Sequence, residues 1–411
     1  MRAARLIFIV VWSALLASAA SAQTSNFALM RAPDAQAPPP GWVVTPALLY
    51  QSAWDDNVLL RLNGDEAPGD YINLVNPHID ASYLGRHSHF SASYDANFAL
   101  YRQLDTLNSY DQHASVSASR AVTPHITLFA QNTFASVPTT ELFNLVAVPF
   151  IRAGTKVDSL RGGTDASLSK YTTVTATYSF DWVAFEQNTF NPFLFGGHTH
   201  GANVGLKHAL NPTTSLTANY SFHHSLVGEE AVLIAGANPI NHGTFNVQNG
   251  DVGFEKLLSP QTRVFGAFGF SRLDIAVVGL SQAGPAWRAG VTQHFKTAYV
   301  DASYIRSYVP AYGFGGTTQN EELRAQMMAP LARRLSVQSV VAWRRNEPVA
   351  IGALKLKSLW VEGSFGYALQ PWVRLEAFYA GDHQVVEAPG GIASRNRIGL
   401  QIVTSKPLRV Q

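Results

Sequence analysis

The chain has 411 residues, with 30 basic and 28 acidic side chains and no cysteine. It can therefore form neither disulfide bonds nor thiolate metal sites. Charged residues make up only 14% and aromatic residues 11% of the chain, whereas a soluble domain carries about 25% charged residues. The nearly balanced charge argues against a nucleic-acid partner, which would require a basic surface.

The N-terminus has the three parts of a cleaved secretory signal peptide. Residues 1–5 include two arginines, an apolar stretch covers residues 6–16, and small residues at 20–22 supply a cleavage site. The apolar stretch is shorter than the roughly 20 residues that a membrane anchor needs. We therefore predict a signal peptide at residues 1–22. A flexible Pro/Ala-rich periplasmic leader is expected at 23–41, with a polyproline recognition arm as the alternative.

A two-residue periodicity dominates the rest of the chain. From Thr173 to Trp182 every second residue is apolar, and the residues between them are small and polar. Such a pattern separates the two sets only on an extended strand. In a secreted chain without another long apolar stretch, the apolar face is expected to contact lipid and the polar face water. We predict an all-β transmembrane antiparallel up-and-down β-barrel over residues 42–411, in the bacterial outer membrane. A soluble all-β protein is the alternative.

The spacing of turn signals predicts 18 strands, with 16 as the fallback. Short connections on the periplasmic side should alternate with longer ones outside the cell. The long connections are expected near residues 55–70, 102–110, 138–156, 186–199, 227–243, 275–284, 309–317, 346–353 and 382–393. The tight turns are expected near Arg86, Pro124, Tyr171, Pro212, Pro260, Lys296, Arg333 and Gln370.

The face opposite the aromatic residues would line the lumen with Ser, Thr, Asn, Gln and Gly. Its charged candidates are unevenly distributed, because arginines fall on the later strands and aspartates on the earlier ones. In one interpretation, an arginine-rich wall faces a carboxylate-bearing wall, and at least three arginines share one depth and bias ion passage. In the other, the arginines pair with Glu322, Glu362 and Glu376 and support the wall. The pore-lining candidates are Arg288, Arg324, Arg344, Arg374, Arg397, Asp95, Asp165 and Asp181.

The histidines give little support for catalysis or metal binding. His223 and His224 must point to opposite faces of a strand. His198 and His200 offer only two imidazoles, an incomplete metal site, and we interpret them as solvated residues in or beside a loop. The chain is therefore predicted not to be an enzyme, and no metal or other cofactor is expected.

The start of the predicted barrel carries a family resemblance. Asp56-Asn57-Val58 is followed by a strand that opens with Asp70-Tyr71-Ile72 and reaches Pro77. These residues resemble the β-barrel porin-2 family of bacterial outer-membrane β-barrel proteins, where an Asp-Asn-Val element precedes an Asp-x-Ile…Pro strand. Some members of that family are associated with exopolysaccharide export. The resemblance implies a barrel and passage of polar solutes or glycans, and it carries over no catalytic residue.

These features predict a porin-like channel for passive diffusion of small polar solutes, because 16–18 strands leave an aqueous lumen. A conduit for an exported polysaccharide and a closed structural or adhesive barrel are the alternatives. The expected partners are outer-membrane lipid and small polar solutes or glycans, but not nucleic acid. A homo-oligomer is left open.

Overall fold

The computed structural model describes residues 40–62, 67–140, 148, 150–186, 194–228, 243–275, 279–310, 312, 317–349, 355–387 and 390–410. The predicted signal peptide and nearly all of the predicted leader lie outside the described residues. The strands are β1 (Gly41–Asp55), β2 (Asp70–Leu84), β3 (Ser88–Tyr101), β4 (Ser109–Thr123), β5 (Ile126–Val137), β6 (Thr155–Ser167), β7 (Thr172–Phe185), β8 (Gly197–Asn211), β9 (Thr214–Val227), β10 (Gly243–Ser259), β11 (Thr262–Ile275), β12 (Leu280–His294), β13 (Tyr299–Pro310), β14 (Thr317–Pro330), β15 (Leu335–Pro348), β16 (Leu356–Gln370), β17 (Val373–Val386), β18 (Gly391–Ser405) and β19 (Leu408–Val410).

The strands close into one antiparallel barrel. Each strand from β1 to β18 pairs with its neighbours in sequence, and β1 also pairs with β18. The three-residue β19 continues the course of β18 along β1, since Ala47 lies opposite Ser405 and Trp42 opposite Val410. The predicted all-β barrel of 18 strands is therefore confirmed, with β19 as an extension of the last strand.

The outer surface of the barrel is apolar. Tyr178 and Trp182 on β7 are exposed, whereas Thr175 and Val183 on the alternate face are buried. Exposed aromatic residues elsewhere, such as Tyr94 and Phe98 on β3, follow the same outward face. A closed sheet that pairs its backbone groups internally and exposes apolar side chains outward satisfies the requirements of a lipid bilayer. The predicted location in the bacterial outer membrane is confirmed.

The described residues contain no helix of the length and apolarity needed to cross a membrane.

The connections have the predicted asymmetry, with three differences in their boundaries. Strand β12 already begins at Leu280, so the connection before it ends earlier than predicted. Strand β8 begins at Gly197, so His198 and His200 lie on the strand beside the connection and not in the connection itself. Both histidines face outward, and the Tyr178 hydroxyl lies 2.7 Å from Nδ1 of His200. The connection between β17 and β18 is also shorter than predicted, because these strands extend to Val386 and start again at Gly391.

Candidate functional site: the barrel lumen and its inner loop

Apolar side chains fill the lumen side of several strands near their extracellular ends. Val183, Phe245 and Leu273 are no more than 2% exposed, although they point away from the lipid. They belong to one cluster that also contains Val227 and Ile275. A closed barrel of this size would leave such residues in water, so their burial requires a partner inside the lumen.

One partner comes from the connection between β5 and β6, and we call its described residues, 138–140, 148 and 150–154, the inner loop. Its Val148 packs into the apolar cluster. The backbone N–H of Phe150 donates to the side-chain oxygen of Gln384 over 2.7 Å, and the Gln384 amide nitrogen donates to the Val148 carbonyl over 3.4 Å. Gln384 lies on β17, six strand-to-strand steps from β5 around the ring through β1 and β18. The inner loop therefore crosses the lumen and is fastened to a distant wall.

The returning end of the inner loop is held on the near side. Arg152 donates to the Leu107 carbonyl over 2.7 Å and to the Tyr101 hydroxyl over 3.2 Å. Its guanidinium carbon also lies 5.4 Å from the centre of the Tyr101 ring, a cation–π distance. Contacts on both walls fix the loop across the barrel.

Two other connections contribute to the same region. Tyr312, between β13 and β14, joins the apolar cluster, and its hydroxyl lies 2.6 Å from the Thr199 hydroxyl. Burial raises the pKa of the Tyr312 hydroxyl above its ordinary value. Val58, between β1 and β2, is fully buried in a second cluster with Ile72 and Tyr101. The extracellular half of the lumen thus has its own apolar core.

The predicted arginines all lie in register with the lumen-facing residues of their strands. Four of the five have a carboxylate partner close by on the wall. These pairs are Arg288–Asp251 at 3.0 Å, Arg344–Glu322 at 2.6 Å, Arg374–Glu376 at 3.0 Å and Arg397–Asp382 at 3.4 Å. This arrangement corresponds to local support of the wall, and two of the three predicted glutamates, Glu322 and Glu376, take part in it.

Arg324 differs from the other four arginines. Its guanidinium carbon lies 5.5 Å from the centre of the Trp360 ring, and no carboxylate lies within 4.0 Å of it in the described part of the chain. Glu362, the third predicted partner, likewise forms no ion pair among the described residues. A cation and a carboxylate on this wall are thus left available to the lumen.

The five arginines do not all lie at one depth in the barrel. Arg288 and Arg344 lie on a single paired row that runs through Ile305 and Glu322. Arg374 is the second residue of β17, beside a periplasmic turn. Arg344 and Arg374 therefore lie at separate depths, and each has a local partner.

The predicted aspartates lie on the opposite side of the ring, on β3, β6 and β7. Asp95 lies 2.9 Å from His113 and 3.7 Å from His78. Asp165 accepts a hydrogen bond from the Thr175 hydroxyl over 2.6 Å, and Asp181 accepts one from Ser159. The two charged walls do face each other, but most of their charges are satisfied locally. That these eight residues control passage through a pore stays a prediction.

The inner loop and its attachment were not predicted from the sequence, although one signal for them exists. On β10 the outward apolar residues Val252 and Phe254 have even numbers, whereas Phe245 and Val247 have odd numbers. No register shift separates them, so the apolar pattern changes face along a regular strand. Such a change indicates an apolar partner inside the barrel. Gln384 itself carries no comparable signal, because polar residues are common on the lumen wall.

No group of three or more His, Asp or Glu side chains that could hold a metal is found in the described ranges.

Comparison with known proteins adds only distant structural similarity. No protein-family model matches the chain, and no curated protein does. The family resemblance to the β-barrel porin-2 group is therefore not confirmed. Among solved structures, the chain is similar to OccAB3 of Acinetobacter baumannii, with 11% identity over 89% of this chain and 99% of that chain and a TM-score of 0.46. OpdO of Pseudomonas aeruginosa shares 11% identity over 90% of this chain and 98% of that chain, with a TM-score of 0.44. The FrpB iron transporter of Neisseria meningitidis shares 10% identity over 85% of this chain and 62% of that chain, with a TM-score of 0.46. Similarities this distant carry no argument about function.

Proposed function

We propose that this protein is an outer-membrane channel for passive diffusion of small polar solutes, in which the inner loop sets the narrowest section. The observation that carries the proposal is the contrast between the loop and the lumen below it. The loop crosses the barrel and is fastened by Gln384, whereas the wall on its periplasmic side is polar and ion-paired. A polar wall binds water without retaining any one solute, which suits diffusion.

The attachment of the inner loop is suited to control the width of the lumen. Gln384 is fully buried, and its amide nitrogen also donates to the Ser358 hydroxyl over 3.0 Å. Its side chain is therefore held by the wall while it binds two backbone groups of the loop. Removal of the amide would leave the buried Phe150 N–H and Val148 carbonyl unsatisfied, which is costly. The loop should then detach from β17.

Single-channel recording of the refolded protein in planar bilayers tests this proposal. We expect discrete conductance steps for the wild type, and larger or more variable steps for Gln384→Ala because the loop is released. His383→Ala is the matched control, since this neighbouring residue lies on the opposite face of β17 and its ring bonds Ser394 outside the lumen. A lack of conductance in both the wild type and Gln384→Ala would instead assign the protein to closed structural barrels.

A conduit for an exported polysaccharide is the second candidate, because the lumen wall carries an aromatic residue. Trp360 lies on the lumen side of β16, between the outward-facing Leu359 and Val361. Block of the ionic current by one glycan and not by others would favour a dedicated conduit over general diffusion.

A further inference from the structure

Trp360 occupies an unusual position for a tryptophan of this barrel. It pairs with Ala342 on β15 and Asp382 on β17, both on the lumen side. Its side chain is half-buried, so part of the indole remains available inside the barrel. The small side chain of Ala342 leaves a shallow space beside the ring, which Arg324 spans from β14. The result is an indole on the lumen wall with one guanidinium over one of its faces.

The charges around this indole are balanced. Arg324 lies over the indole, and Glu362 lies two residues along β16 on the same face. On β17, Asp382 faces Trp360 directly and lies 3.4 Å from Arg397. Two cations and two carboxylates therefore surround one ring. An anion would meet two carboxylates, a cation would meet two guanidinium groups, and an apolar solute would leave polar groups without water.

Trp360 lies close to the point where the inner loop is attached to the wall. Ser358, two residues toward the extracellular end on the same face, accepts a hydrogen bond from Gln384. Gln384 in turn holds Val148 and Phe150 of the inner loop. The indole therefore lies just below the attachment point of the loop, where the lumen is narrowed.

We propose that Trp360, Arg324 and Glu362 form a binding subsite for a pyranose ring of a neutral oligosaccharide. A pyranose has an apolar C–H face that stacks on an indole and a rim of hydroxyls that both donate and accept hydrogen bonds. Arg324 supplies donors only, and Glu362 supplies acceptors only, so together they match that rim. Bonds to charged groups are the stronger kind. The subsite rests on the proposed function, in that solutes must enter the lumen to reach it.

Isothermal titration calorimetry of the full-length barrel in detergent tests the subsite, with maltohexaose and cellohexaose as probes. We expect at least one probe to bind with a dissociation constant of about 1 mM or tighter. Trp360→Leu should weaken that binding about tenfold or more, and Trp360→Phe less, because a smaller ring remains. Trp343→Leu is the matched control, since Trp343 lies on the neighbouring strand opposite Leu359 on the lipid side. Heat-modifiable gel migration checks that each variant is folded.

Further variants identify the ligand class. Arg324→Gln and Glu362→Gln should each weaken binding of the same probe, because each removes a charged hydrogen-bonding group. Failure of both neutral probes to bind the wild type would overturn the proposal, as would equal binding by Trp360→Leu. Binding of an oligogalacturonate hexamer alone would also overturn it, by assigning the site to an anion. Calorimetry does not require conduction, so the two proposals can fail separately. If the barrel conducts ions but binds no glycan, only the subsite is rejected. If the barrel binds glycan but does not conduct ions, only the proposed channel function is rejected.

Discussion

The two halves of the lumen are built on different principles. In the extracellular half, Phe245 and Leu273 are fully buried in the cluster that also contains Val148 of the inner loop. In the periplasmic half, the side chains of Arg288 and Arg374 remain 33% and 27% exposed, although both are ion-paired. One end of the barrel therefore resembles the dry core of a soluble protein, and the other a hydrated wall. In the channel proposed above, the dry half would control access and the wet half would contact the solute.

The ion pairs of the two halves should differ accordingly in energy. Near the extracellular end, Arg395 and Asp55 are 5% and 0% exposed at their side chains and lie 2.5 Å apart. A buried charge that loses its partner is strongly destabilising, whereas a hydrated one loses little. The same substitution made in both halves therefore measures how dry each half is.

The largest effect is expected for Asp55→Asn. The variant leaves Arg395 buried with less compensating charge, and it should lower the free energy of unfolding by about 3–5 kcal/mol. Guanidinium titrations in lipid vesicles, followed by tryptophan fluorescence, measure the difference. Asp251→Asn is the control, because Arg288 keeps access to water, and it should cost about 1 kcal/mol or less. Similar losses for both variants would show that the two halves are equally hydrated.

A smaller effect is expected for Leu273→Ala in the apolar cluster. Leu273 is fully buried, and loss of a buried leucine side chain costs about 2–5 kcal/mol. The control is Leu257→Ala on β10, since Leu257 is half-buried on the lumen side near the periplasmic end. Its truncation should cost about 1 kcal/mol, because less apolar area is buried there. The same vesicle titration compares them, and an equal loss at both positions would contradict the distinction between the halves.

The sequence predicted the barrel well because its signals are local. The alternation from Thr173 to Trp182 requires a strand with two different faces. Turn residues such as Pro124, Pro212 and Pro260 mark the periplasmic ends of hairpins, and tight turns lie at all three. Strand number and closure then follow from the repetition of these local features. The same two-residue alternation placed the arginine and aspartate candidates in the polar set of their strands. Each of them therefore lies on the lumen side.

The site could not be predicted to the same extent because it depends on contacts between distant segments. Phe150 and Gln384 meet across 234 positions of sequence, and no periodicity relates a connection to a strand so far along the chain. Ion pairing between strands depends on side-chain geometry as well as register, so Arg288 pairs with Asp251 two strands away. The lumen-facing position of Trp360 could have been predicted from the sequence. Trp360 lies two residues from Glu362 and therefore on the same face of the strand, although apolar residues occupy both faces in this stretch.

The smallest effect is expected for Tyr312→Phe, which tests how dry the apolar cluster is around the Tyr312 hydroxyl. The variant loses the hydrogen bond between the Tyr312 hydroxyl and Thr199, worth about 1 kcal/mol at neutral pH. Thr199 keeps its 2.9 Å bond to Ser225, which limits the loss. The same titration of unfolding measures this difference.

The pH dependence of that difference separates a buried hydroxyl from a hydrated one. Burial raises the pKa of Tyr312 in the folded state, so above about pH 10 the unfolded chain releases a proton that the folded protein retains. The contribution of Tyr312 to stability is therefore complete below about pH 10 and is lost as the pH rises toward the higher folded-state pKa. We expect the advantage of the wild type over Tyr312→Phe to shrink as the pH rises above about 10. Parallel pH profiles for the two proteins would mean that water reaches this hydroxyl, and that the apolar cluster is not dry around Tyr312.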